Sequence, residues 1–178
     1  MSSKAAKVAE LFTKTIATTR CFDSNLRKVK VVSCDNGKMV TEFQVGPEQL
    51  NQRGTLHGGF IAHLVDAIST YALTANENCD TRGVSIDLSI SYLNAAREGD
   101  NIVVEAITRK LGKKVAFLEV EVRNKDKNQV IATGRHTKYT IIIIIPCGNH
   151  VSFILILINL LSNLTRLLSS FYILKPIL

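Results

Sequence analysis

The stretch RGTLHGGFIAHLVDAIST, residues 53–70, restricts this chain more than any other. Gly58 and Gly59 open a run that is apolar on nearly every side, and a helix of that kind must be covered almost all round. In its middle stands one carboxylate, Asp66, although an unpaired buried charge is costly. A lone acid on a covered helix reads as a working base or as a structural acid bonded to Ser69, Thr70 or a helix end.

The cover has to come from the rest of the chain. Residues 5–19 carry a 3.6-residue apolar period and predict a helix. KVKVVSC and KMVTEFQV flank the turn signal Asp35-Asn36-Gly37 and predict a hairpin. The long apolar helix follows over roughly residues 58–75. Beyond the loop NENCDTRG, alternation places Val84, Ile86, Leu88, Ile90 and Tyr92 on one face and Ser85, Asp87, Ser89 and Ser91 on the other, polar face. NIVVEAITRKLG, KVAFLEVEVRNK and QVIATGRHTKYT supply three more strands. One helix, two strands, one long helix and four strands predict an α+β fold, an antiparallel sheet wrapped around the central helix.

At 178 residues the chain is long enough for one domain with a real core, without metal or disulfide staples. Its net charge of +7 favours an anionic partner. No Lys/Arg stripe interleaves with aromatics, so nucleic acid is not the expected partner. Cys21, Cys34, Cys79 and Cys147 form no CxxC pair and read as reduced thiols, with no metal expected. No apolar h-region follows the first lysines, which argues against a secretory signal. The start reads as an amphipathic helix of the domain, with a weak mitochondrial presequence as the alternative, so the expected location is cytoplasmic, mitochondrial or both.

NQRGTLHGG, LVDAIST, GVSIDLSISYLNAAREGD and GRHTK together resemble the hotdog-fold acyl-CoA thioesterases over about residues 5–139. The resemblance implies the hotdog fold and hydrolysis of medium- to long-chain fatty acyl-CoA to free fatty acid and CoA. Coenzyme A would be part of the substrate, and no cofactor is needed. Two other activities compete: a hotdog hydratase or dehydratase using His57 and Asp66, and a non-catalytic acyl-CoA sensor.

The chemistry of the site follows from the helix. Gly58 and Gly59 leave backbone N–H groups and the positive dipole end free at its start. Such donors stabilise the oxyanion of thioester hydrolysis, and Gly58 without a Cβ admits a close approach. Asp66 lies eight residues further on, about 12 Å along the axis, too far to share one thioester carbon with Gly58 of the same chain. If both act, the base comes from a second copy, which predicts a dimer with paired sites. The resemblance implies the same dimer and its pairing into tetramers. Burial is expected to raise the carboxyl pKa of Asp66 towards a useful base. By resemblance, Asn51 helps to hold the thioester carbonyl and Ser85 orients the attacking water. As bare residues they would be a turn Asn and one more polar-facing Ser. His57, near the helix start, is expected as neutral imidazole able to hydrogen-bond the thioester, or as a helix-entry residue without a chemical role. His63, three residues before Asp66, is expected to pack or hydrogen-bond.

The resemblance also assigns CoA contacts. Tyr92, Leu93, Asn94, Ala95, Ala96 and Arg97 match one nucleotide-contacting loop. Lys110, Leu111, Gly112, Lys113, Lys114 and Val115 match another, with Tyr139 as a weaker contact. Arg97, Lys110, Lys113 and Lys114 would meet phosphates, and Gly112 would admit a tight hairpin. The family commonly has a proline near Ala95, and this chain does not.

The expected domain is residues 1–140, and residues 141–178 are an apolar tail with no acid and only Arg166 and Lys175 as bases. Relatives of this family end shortly after the segment matching GRHTKYT. Three readings of the tail stand: a membrane anchor, an interfacial helix, or a reading frame carried past the last coding segment into AT-rich sequence, which five successive isoleucines fit. The first two would associate the protein with a membrane.

Overall fold

The computed structural model describes residues 3–140. Helix α1 (Ser3–Thr18) buries Ala5, Val8, Phe12 and Ile16, the one-sided spacing its sequence predicts. Lys4 fastens its start to the far side of the molecule, donating to the carbonyls of Asn76 and Cys79 at 2.8 and 2.6 Å. A 3-10 turn, Phe22–Leu26, leads to the hairpin of β1 (Lys30–Asp35) and β2 (Lys38–Gln44). Gly37 closes that hairpin at φ +75°, a conformation glycine reaches without steric cost.

Helix α2 (Gly58–Thr74) follows, then β3 (Val84–Tyr92), β4 (Asn101–Leu111), β5 (Val115–Asn124) and β6 (Gln129–Tyr139). The six strands form one antiparallel sheet in the order β1-β2-β4-β5-β6-β3. Helix α2 lies on the inner face of the sheet against β2, β4, β5 and β6. This is the predicted helix within an antiparallel sheet. Leu64, Val65 and Ile68 are fully buried in that contact, each worth about 1.5–3 kcal/mol by burial alone. The close approach depends on Gly134 of β6, where a Cβ would stand 2.6 Å from Val65 Cγ1. Phe12 of α1 meets the Tyr71 ring edge-on at 4.9 Å, which ties the two helices.

Strand β3 departs from the alternation expected of it. Ser85 pairs with Lys138 but Asp87 pairs with Thr137, so Ile86 is an extra residue in a β-bulge. The bulge shifts the phase of everything before it. Ser85 therefore shares the helix-side face with Leu88, Ile90 and Tyr92, and does not join Asp87, Ser89 and Ser91 on the outer face. β3 is also an edge strand, and Ile86, Leu88 and Tyr92 stand exposed along it. Cys21, Cys34 and Cys79 are free thiols. Cys147 and the tail from residue 141 lie outside the described residues. Among the described residues no helix is long and apolar enough to cross a membrane.

Candidate functional site

The predicted site residues around α2 fall into two groups, one at its start and one at its middle. At its start, the loop from Leu50 is closed by a bridge between Leu50 and Leu56, and Leu56 N–H donates to Ala96 O at 2.8 Å. Asn51 organises this loop. Its Oδ1 accepts from the N–H groups of Arg53 and Thr55 at 2.9 and 3.3 Å, and its Nδ2 donates to Thr55 Oγ1 at 2.8 Å. One N–H of the amide is left over for another acceptor.

His57 is the N-cap of α2, its Nδ1 accepting from Gly59 N–H at 2.8 Å. With Nδ1 accepting, the ring carries its proton on Nε2. The Phe60 and Ile61 N–H groups donate to His57 O at 2.9 and 3.1 Å. Of the four first-turn donors, the Gly58 N–H is then the one with no acceptor among the described residues. The Tyr92 hydroxyl reaches from β3 to donate to Gly58 O at 3.1 Å, so its ring walls one side of this helix start.

Two turns further along, Asp66 is not enclosed as the helix pattern suggests. Its side chain is 49% exposed, because β3 and the edge beyond it leave this stripe of α2 open. The Ser69 and Thr70 hydroxyls donate to the backbone carbonyl of Asp66 at 3.1 and 2.7 Å and leave its carboxylate untouched. What faces the carboxylate comes from β6. Asp66 Oδ1 lies 3.8 Å from His136 Nε2 and 4.0 Å from Lys138 Nζ. The same Nε2 lies 2.9 Å from Ser85 Oγ, so Asp66 and Ser85 converge on one nitrogen.

His136 and Lys138 are absent from the sequence-predicted set, yet they organise the group around Asp66. Burial first, and then the Lys138 charge, push the His136 imidazole down to about 4, against the opposing pull of Asp66 and Asp87. The ring is therefore neutral near pH 7. Ser69 already gives its proton to Asp66 O, so at 2.7 Å its oxygen accepts from His136 Nδ1–H. His136 Nε2 is then an acceptor for the Ser85 hydroxyl, which leaves the Ser85 lone pairs free. Lys138 donates to Thr70 Oγ1 at 2.8 Å.

His63 plays the packing part expected of it. Its ring meets Phe22 edge-on at 4.5 Å and its Nε2 is 3.6 Å from Asp23 Oδ1. Burial lowers its pKa while Asp23 and Asp66 oppose.

The two CoA segments are likewise parted within one chain. Tyr92 is level with Ala132 on β6, whereas the turn ending at Val115 is level with Tyr139. Seven residues of strand put them about 23 Å apart. Arg97 bridges to Thr55 and so sits beside the Gly58 end, and its N–H donates to Asp100 at 2.8 Å. Lys110, Lys113 and Lys114 are exposed and without an ion pair among the described residues, and Gly112 N–H closes their turn on Val115 O at 2.9 Å.

The sequence model of the thioesterase superfamily matches residues 53–131, the span from the loop before Gly58 into β6. Acyl-coenzyme A thioesterase 13 of Homo sapiens is 42% identical over 139 residues, covering 78% of this chain and 98% of its own length. The crystal structure of zebra fish thioesterase superfamily member 2 superposes with a TM-score of 0.74 at 42% identity, over 78% of this chain and 99% of that one. The structure of smu.793 from Streptococcus mutans UA159 bound to acetyl CoA superposes with a TM-score of 0.59 at 25% identity, over 70% of this chain and 94% of that one.

Proposed function

This chain belongs to the thioesterase superfamily, and we propose that it hydrolyses medium- to long-chain fatty acyl-CoA to free fatty acid and CoA, at sites shared between two copies. The observation that carries the reading is the division of the site. The free Gly58 N–H stands at the start of α2 and the Asp66–Ser85 pair at its middle, about 12 Å apart along its axis. A two-fold dimer of this chain would set each helix start against the Asp66 of its partner. The open edge of β3, with Ile86 and Leu88 exposed on it, is the surface we assign to that dimer, and pairs of dimers would form the tetramer.

In this mechanism a water sits between Asp66 and Ser85. Ser85 donates a hydrogen bond to His136 Nε2 and accepts one from the water, while Asp66 takes the water's other proton as the oxygen attacks the thioester carbon. The developing oxyanion accepts from the Gly58 N–H of the other copy, at the positive end of its helix. His57 Nε2–H and the remaining Asn51 N–H are the neighbouring donors for the carbonyl. Collapse breaks the C–S bond, and the proton held by Asp66 passes to the departing CoA sulfur. Arg97 and the three lysines of the β4–β5 turn, drawn from different copies, would receive the CoA phosphates.

The test is release of free CoA thiol from a panel of acyl-CoAs by the full chain, with and without Asp66→Asn. Turnover that the substitution removes from a folded protein supports the reading. Turnover that survives it points to another base, and bound acyl-CoA without any release by the wild type would leave a sensor.

A further inference from the structure

Lys138 is 3% exposed, an unusual place for an ammonium group. It gives one hydrogen bond, to the neutral Thr70 Oγ1, and the anion within reach is Asp66 at 4.0 Å. Thr70 in turn donates to the Asp66 carbonyl at 2.7 Å, so the cation is tied to the backbone as well as the side chain of the same residue. On β6, Lys138 stands two residues from His136 on the same face of the strand, and the imidazole feels its charge.

We propose that Lys138 is a positioning residue whose buried positive charge keeps Asp66 a free carboxylate and His136 a neutral imidazole at the same time. Both states are needed at once. A protonated Asp66 cannot take the proton of water, and a protonated His136 cannot accept from Ser85. One cation favours both, since a positive neighbour stabilises an anion and opposes a second positive charge. This rests on the hydrolytic reading above. The other charged groups acting here are His63 on α2, Asp87 on β3 and Arg82 in the preceding loop, with Asp23 acting on His63 from the 3-10 turn. Arg82 opposes the charge on Lys138 and Asp66 supports it, while burial pulls it down most.

The experiment compares kcat/KM across about pH 5–8 for the full-length wild type, Lys138→Gln and Lys138→Arg. Without the cation, His136 protonates more readily and Asp66 loses the positive neighbour at 4.0 Å. The acid limb of Lys138→Gln is then expected to move up, because the charge that helps to hold the His136 pKa low is gone. Lys138→Arg keeps the wild-type limb. A merely structural lysine would lower the whole profile without moving its limb, so a folded Lys138→Gln with the wild-type limb overturns the proposal. A measurement on the wild type covers failure of the variant to fold. The carbon resonance next to Nζ of Lys138 must report an ammonium through pH 7, and a neutral amine there also overturns the proposal. Asp66→Asn separates the two readings. Turnover surviving in that variant removes Asp66 as the base and the role of Lys138 with it, whereas turnover lost there with an unmoved limb in Lys138→Gln defeats the role of Lys138 alone.

Discussion

Gly58→Ala separates folding from chemistry at the helix start. Gly58 is helical and is not among the glycines with positive φ, so alanine fits its backbone. A Cβ there would meet Tyr92 Cε1 at 3.4 Å and Cζ at 3.6 Å, ordinary contact distances. Alanine is also the better helix former, by up to about 1 kcal/mol in a helix interior and less in the first turn. Stability should therefore hold or rise slightly. Activity should not hold, because the methyl group stands beside the free N–H that receives the oxyanion in the proposed mechanism. Loss of one such donor costs about 100- to 1000-fold in kcat, or about 3–4 kcal/mol. Thermal unfolding and thiol-release kinetics on the same preparation read both quantities. An unchanged midpoint with kcat/KM down at least about 100-fold is expected. Wild-type kcat/KM in the folded variant would refute the role given to Gly58. Gly59→Ala is the contrasting control. Its Cβ would lie 3.0 Å from His57 Nδ1, so the ring must give by a few tenths of an ångström, which weakens its cap hydrogen bond and should lower stability by up to about 1 kcal/mol.

Two further predictions concern the shared site and its protonation. Chains carrying Asp66→Ala, mixed with chains carrying Asn51→Ala and reassembled, should recover activity that neither variant has alone, and no recovery in verified mixed dimers would sink the cross-chain site. Folding should be sensitive to acid through His136: the unfolded chain takes up a proton near pH 6.5 that the folded chain refuses until about 4. Stability present above pH 6.5 is therefore lost as pH falls through that window, by about 2 kcal/mol after allowance for screening at the open edge of β3. Urea unfolding should give a visibly flatter pH slope for His136→Gln, and equal slopes for the two proteins would remove His136 as the cause.

The elements were legible in sequence where their cause is local. Alternation marks β3 to β6, and the two glycines followed by an apolar run mark α2 to within a residue or two. His57 caps the helix start in direct sequence with Gly58, whereas Tyr92 reaches Gly58 from β3. Three features escaped because their causes lie elsewhere in the chain. Ser85 changes face through a bulge at Ile86, and one inserted residue leaves no mark in a serine–apolar repeat. Asp66 is half open because α2 is covered on that side by a sheet that ends at β3. His136 and Lys138 are 70 and 72 residues from Asp66 and reach it through strand order, which periodicity cannot supply. The alternation of GRHTKYT did carry a signal, since it places a histidine and a lysine on one face of a strand that must cover an apolar helix.

The strand order also sets when this molecule can become whole during synthesis. β6 is the last of the six strands to be made, yet it lies between β5 and β3. Until residues 129–139 are available, β3 has neither of its edges occupied and waits as an unpaired ribbon more than thirty residues behind the growing end. That ribbon is the part of the nascent chain most exposed to pairing with a stranger. Its arrival in the sheet is the same event that carries His136 and Lys138 up to Asp66 and Ser85. A chain interrupted anywhere before β6 therefore carries no partly working centre, and quality of synthesis is tested at the very strand on which hydrolysis depends.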